Sequence, residues 1–212
     1  MGIPVLIIGK SGSGKSASMR TCLDENFNLI RVLNKPLPFK GKINGWITDD
    51  YNTVKKALKS APAKSVIIDD AGYLITNYFM NNHSAKGAGN AVFSLYNTLA
   101  DSFWGLVQFV VNELPADKIV YIIMHEDVNE FGDIKPKTIG KLLDEKICLE
   151  GLFTIVLRCV NNSIEHKFIT QSDGGAVSKS PIGMFESLEI SNDLKLVDDT
   201  IRDYYELNKK VG

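Results

Sequence analysis

The chain has 212 residues, 44% of them hydrophobic and 23% charged, with a formal net charge of -1 at pH 7. That length suits one medium-sized domain able to bury a core without staples, and the charge balance gives no global attraction to a polyanion. Three cysteines (Cys22, Cys148 and Cys159) are widely spaced and offer no zinc-ligand pattern, which suits reduced thiols in a cytoplasmic protein.

Ile3 to Ile8 is an apolar run ending in glycine, the pattern of a buried parallel strand. It is too short to span a membrane and lacks the flanks of a signal peptide, so a soluble protein with no membrane partner is expected. A helix is expected from Lys15 to Leu23 and a strand from Asn28 to Leu33. Residues 34–45 carry two prolines, two glycines and three lysines, and predict a loop. Trp46 to Thr48 reads as a brief strand. Asp49 or Asp50 then caps a helix running to Ala61, with Val54, Leu58 and Ala61 on one face.

Ser65 to Ile68 is the next buried strand, ending at Asp69-Asp70, and a helix follows over 71–81. Residues 82–90 predict a flexible loop, followed by a long helix to about Asn112, with Pro115 just beyond it. A fourth buried strand, Ile119 to Met124, ends at His125-Glu126. Residues 127–135 read as a turn or hairpin around Gly132, and Lys137 to Ile147 as a helix. Phe153 to Val160 and Ile164 to Thr170 form a hairpin across Asn161-Asn162-Ser163. A glycine-rich loop at 174–175 and a last helix from Asp193 to Leu207 complete the chain. Strands alternating with helices predict a single α/β P-loop domain over 1–212. Its sheet is mainly parallel, with helices on both faces and an antiparallel hairpin at one edge.

The chemistry concentrates where the first strand ends. Gly9-Lys10-Ser11-Gly12-Ser13-Gly14-Lys15-Ser16, followed by Ala17, matches G-x-x-x-x-G-K-[ST]. Its glycines allow tight turning with backbone N–H groups aimed at phosphate, and a following helix N-terminus adds to the attraction. Lys15 is expected to reach the β- and γ-phosphates, and Ser16 to coordinate Mg²⁺. Asp69 ends an apolar strand in the manner of a Walker B element and is expected to hold the same ion. Asp70 is the candidate to orient the attacking water. His125 is a candidate sensor of the γ-phosphate, provided that its strand lies between the other two, and Glu126 is an alternative base.

These motifs carry a resemblance. Together with Ile-Met-His-Glu at 123–126, the segments at 151–157 and 166–171, and Val-Ser-Lys-Ser-Pro-Ile-Gly-Met-Phe at 177–185, the chain resembles a family of RecA-like, phage-encoded P-loop ATPases. That family is grouped as an AAA-type nucleotide-binding domain and includes single-strand annealing proteins. The resemblance covers the layout of roughly residues 3–190. It implies a RecA-type sheet, ATP and Mg²⁺ as cofactors, and an oligomer acting on single-stranded DNA in recombination, with recombination proteins as partners in a bacterial cytoplasm. It also implies that Lys179 approaches phosphate in its own subunit or a neighbour.

The chain departs from that pattern in two respects. None of its four arginines (Arg20, Arg31, Arg158 and Arg202) announces a finger role, and the strand after the P-loop ends near Asn34-Lys35 without a glutamate. For DNA, Lys35, Lys40 and Lys42 surround Phe39 and precede Trp46, and His83 and Lys86 lie in the 82–90 loop. These are candidate contacts of a basic, stacking groove. The alternatives are a nucleotide-dependent switch controlling a protein partner and a small-molecule kinase. The scarcity of arginine counts against the kinase.

Overall fold

The computed structural model describes residues 1–84, 90–139, 147–162, 164–172 and 174–208. The strands are β1 (Ile3–Gly9), β2 (Phe27–Arg31), β3 (Gly45–Ile47), β4 (Ser65–Asp69), β5 (Ile119–Val128), β6 (Ile134–Pro136), β7 (Ile155–Asn161), β8 (His166–Ile169) and β9 (Glu189–Ser191). The α-helices are α1 (Tyr51–Ser60), α2 (Gly72–Asn82), α3 (Asn90–Glu113) and α4 (Leu194–Tyr204). Among the described residues the strands form one sheet in the order β3-β2-β4-β5-β1-β7-β8-β9, with β6 paired to β5. From β3 to β7 every pairing is parallel, while β7-β8, β8-β9 and β5-β6 are antiparallel. The chain is therefore an α/β protein with a mainly parallel mixed sheet flanked by helices.

Strand alternation sorts the core into two layers. Leu6, Ile8, Val66, Ile68, Val120 and Ile122 pack against α1, α2 and α3 through Val54, Leu58, Leu74, Phe103 and Val107. Val5, Ile7, Ile67, Tyr121 and Ile123 pack on the opposite face against Met19, Cys22 and the Leu194, Val197 and Ile201 side of α4. α1 starts where Asp50 accepts a bond from the Thr53 N–H at 2.8 Å, and it stops at Ala61, which precedes Pro62. Asp193 caps α4 in the same way, accepting from the N–H groups of Lys195 and Leu196.

Register brings the site together. Gly9 pairs with His125, Ile68 with Ile122, and Arg31 with Asp69. The carboxyl ends of β1, β5, β4 and β2 thus lie side by side, where open parallel sheets hold their ligands. β5 does lie between β1 and β4, the condition attached to His125 above.

Several expectations are corrected. The segment after the glycine loop is a six-residue 3-10 helix, Ser16–Thr21, and not a full helix over 15–23. Ser18 Oγ bonds back to the Lys15 carbonyl at 2.6 Å and Thr21 Oγ1 reaches Asp193 at 2.7 Å. The Ser18 hydroxyl thus competes with regular helix bonding, while Thr21 ties the segment to the cap of α4, and a helix dipole contributes little here. β5 does not end at His125-Glu126 but continues to Val128, where it pairs with β6 as the hairpin expected around Gly132. Lys137 to Ile139 are not helical, and the rest of the helix expected over 137–147 lies mostly outside the described residues. So do Lys86 and most of the expected 82–90 loop. A short edge strand, β9, pairs with β8 beyond the expected hairpin.

Candidate functional site

The loop over 9–16 is built from the backbone outward. Ser13 N–H bonds the Lys10 carbonyl at 3.2 Å, closing a turn whose third residue, Gly12, has φ +77°, a conformation suited to glycine. Gly14 also has positive φ, and a side chain there would collide with the His166 ring at 2.7 Å. The Ser13 carbonyl accepts two bonds, from Cys159 Sγ at 2.9 Å and from His166 Nδ1 at 2.7 Å. The β7-β8 hairpin therefore clamps the loop from outside. Burial pushes the Cys159 thiol up to about 11, which keeps it a neutral donor. His166 and Cys159 were missed as site residues, because neither belongs to a local motif.

Lys15 lies inside the loop, buried, with Nζ donating to the carbonyls of Gly9 at 2.8 Å and Lys10 at 2.7 Å. Burial lowers its pKa, while Cys159, Asp70, Asp69 and Glu126 oppose that shift. The same ammonium is 3.5 Å from His125 Nδ1, and His125 Nε2 is 3.8 Å from Asp70 Oδ1. Burial and then the Lys15 charge hold the imidazole below its ordinary pKa, so the neutral tautomer carrying its proton on Nε2 fits both contacts.

Ser16 Oγ donates to Asp69 Oδ1 at 2.9 Å. Burial and then the neighbouring Asp70 push the Asp69 carboxyl up to about 6. Asp70 has φ +58°, a left-handed backbone that non-glycine residues adopt at some cost. That backbone aims its carboxylate into the cleft, where Oδ2 is ion-paired with Lys35. Burial acts against the Lys35 charge, but the hydrogen bond and charge of Asp70 outweigh it and raise the pKa. Glu126 is turned away from this group and held by two bonds from Arg158, at 2.9 and 3.1 Å.

The resulting cleft has a volume of about 450 Å³. Ser11, Gly12 and Gly14 to Ala17 border one side of it and Lys35, Pro36 and Pro38 another, with Asp70, His125 and His166 completing the wall. Its character fits a phosphate chain: a buried ammonium inside a loop of permissive glycines and a second ammonium facing it. The donor set also suits a hard divalent ion. Among the described residues no group of three or more His, Cys, Asp and Glu side chains could hold a metal. An ion at Ser16 and Asp69 would therefore take its other ligands from phosphate and water, as Mg²⁺ does.

Of the other expected residues, Lys10 and Ser11 are exposed on the loop surface, and Ala17 lines the cleft. Lys179 does not border the cleft. Its backbone pairs with Val156, alongside Leu6 of β1. Phe39 and Trp46 are half-buried, each packed against one of the two core layers, and both line a separate cleft with Arg31 and Lys42, while Lys35 is held by Asp70. His83 stacks on Phe79, with centroids 5.1 Å apart. No helix among the described residues is long and apolar enough to cross a membrane. No known family model and no curated protein matches the chain.

Proposed function

We propose that this chain is a P-loop NTPase of RecA-like type that binds Mg²⁺-ATP in the 9–16 cleft and hydrolyses it. The observation that carries this reading is the convergence of Lys15, the Ser16–Asp69 pair and Asp70 at the carboxyl ends of β1 and β4, the parallel strands on either side of β5. In this reading the loop N–H groups and Lys15 bind the β- and γ-phosphates, while Ser16 and Asp69 hold the ion. Mg²⁺, when bound, would neutralise negative charge on the phosphates. Asp70 orients the attacking water and accepts its proton, and neutral His125 donates from Nε2 toward the same region.

Action on single-stranded DNA as an oligomer, with recombination proteins as partners, is proposed on the resemblance alone. So is contact of Lys179 with a neighbouring subunit's phosphate. A switch function has one observation in its favour. The β5-β6 hairpin grows directly from His125 and carries Phe131, 90% exposed, near its tip, so a phosphate-dependent shift of His125 would be passed to an exposed apolar residue.

The test is ATP binding and phosphate release by purified protein, with Lys15→Ala as control and with single-stranded DNA added or omitted. Mg²⁺-dependent turnover that Lys15→Ala removes is the expected result, and turnover that survives Lys15→Ala overturns the reading. Stimulation by DNA supports the DNA reading. Indifference to DNA leaves the switch as the better account.

A further inference from the structure

Hydrolysis of a triphosphate leaves negative charge on the terminal phosphate oxygens, and many such sites meet it with an arginine. Every arginine of this chain is engaged elsewhere. Arg20 donates to the carbonyls of Ala17 and Asn192, and Arg158 grips Glu126. Arg202 is buried with Asp198 and Ser65. Arg31 donates to the Lys35 carbonyl at 3.1 Å. None of the four borders the 9–16 cleft, whose lysines among the described residues are Lys15 and Lys35.

Building on the hydrolytic reading above, we infer that Lys35 is a catalytic cation acting within its own chain, contacting the terminal phosphate while staying bonded to Asp70. Topology supplies the approach. Lys35 follows β2, and two strands, β4 and β5, separate β2 from β1, so Lys35 reaches the cleft from across the strand ends that carry Asp70 and His125. Its backbone is fixed for that purpose. The Arg31 bond holds its carbonyl, its N–H bonds the Leu33 carbonyl at 2.9 Å, and Pro36 confines the preceding residue to extended geometry.

The two partners of the ion pair are unequal. The Asp70 side chain is 6% exposed and the Lys35 side chain 49%, so the carboxylate is fixed and the lysine is the member free to adjust. An ammonium has three donors. One serves Asp70 Oδ2, and the others are available to a phosphate oxygen beside it. In the step itself, the water oxygen bonds to the terminal phosphorus and its proton passes to Asp70. The bond from that phosphorus to the bridging oxygen breaks, and its electron pair stays on the diphosphate. Lys35 remains protonated throughout.

The test compares Lys35→Met, Lys35→Arg, Asp70→Asn and the Lys35→Met/Asp70→Asn double variant with the wild type. It measures kcat, the Kd for Mg²⁺-ATP, the Kd for ADP with aluminium fluoride, and Tm. Lys35→Met is expected to lower kcat by about 100- to 1000-fold and to weaken ADP–aluminium fluoride by a similar factor. ATP affinity, measured below the unfolding transition, should change by less than about threefold, while Tm should fall because the buried Asp70 carboxylate loses its partner. Lys35→Arg should recover much of the rate. If Lys35 served only to position Asp70, Lys35→Met would add nothing in the Asp70→Asn background and would spare the aluminium fluoride complex. Either result overturns the inference, as does a Lys35→Met rate equal to wild type. A wild type whose turnover survives Lys15→Ala removes the hydrolytic reading, and this inference falls with it.

Discussion

Ser16 and Asp69 meet across a 2.9 Å hydrogen bond that ties the residue after the glycine loop to the last residue of β4. This pair is the place where a divalent ion would join the phosphate loop to the sheet. Replacing either residue by alanine should weaken Mg²⁺-ATP binding about tenfold or more, near 1.4 kcal/mol, and leave metal-free nucleotide binding unchanged. Titrations with Mg²⁺ and with EDTA check this. Equal losses under both conditions would show that the pair only supports the loop.

Asp69 also makes the stability of the empty protein depend on pH. Its carboxyl is held near 6 by burial and by Asp70, above the ordinary carboxylate range of about 4. The folded protein therefore binds a proton that the unfolded chain releases between about pH 4 and pH 6. This contribution to stability falls as pH rises through that window, and the cost is fully present above pH 6. Asp69→Asn should stabilise the empty protein by about 3 kcal/mol at pH 8 and by almost nothing at pH 4. Tm measured across that range for both proteins decides the matter. A pH-independent difference would remove Asp69 titration as its cause.

Lys15→Ala should separate binding from folding. The ammonium is bonded to the loop carbonyls of Gly9 and Lys10, yet burial holds its pKa down, so removing the charge also removes a desolvation cost. ATP affinity is expected to fall by roughly 10- to 100-fold, the scale of one or two charge-assisted hydrogen bonds. Tm should stay within a few degrees of wild type. A large loss of Tm would mean that Lys15 is chiefly a structural strut of the loop.

Much of this site is legible in the sequence, and its gaps have physical reasons. Buried strands announce themselves as apolar runs, and the glycine spacing at 9–16 identifies a loop that turns tightly before a lysine. Asp69 and Asp70 are visible because they end such a run. Lys35 beside Asp70 is not visible, because the contact depends on β2 pairing with β4 in a register that sets Arg31 opposite Asp69. His166 is hidden for a similar reason: it is a lone histidine at the start of a hairpin strand, and only the placing of β7 against β1 brings it to Ser13. The short 3-10 segment after the loop escaped because periodicity counts apolar positions and ignores hydroxyls that bond back to the chain.

His166 offers a direct check on the clamp. A Cβ at Gly14 would lie 2.7 Å from the His166 ring and would have to accept φ +100°. Gly14→Ala should therefore abolish nucleotide binding. Adding His166→Ala should recover only a part of it, since the collision is relieved and the backbone conformation is not. His166→Ala alone should weaken ATP binding by a few-fold, because Ser13 keeps its bond from Cys159. Full recovery in the double variant would show that crowding alone excludes a side chain at Gly14.

The opposite face depends on a buried polar group that joins α4 to the sheet. Asp198 accepts from Ser65 Oγ, from Tyr121 OH at 2.9 Å and from Arg202 Nε at 2.7 Å, while Arg202 also donates to Ser65 Oγ at 2.7 Å and to the Asp117 carbonyl at 3.2 Å. Both charged residues are buried. Removing one leaves the other unpaired in a dry environment, which costs about 3–5 kcal/mol. Asp198→Ala or Arg202→Ala should each lose that much in urea unfolding. The double variant should lose less than the sum, because the second substitution removes the orphaned charge. The group lies at the ends of β4 and β5 away from Asp69 and His125, where Ser65 pairs with Ile119. ATP affinity, measured below the unfolding transition, should therefore be unchanged. Simple additivity of the two losses would mean that Asp198 and Arg202 act independently, and that each is satisfied by its remaining partners.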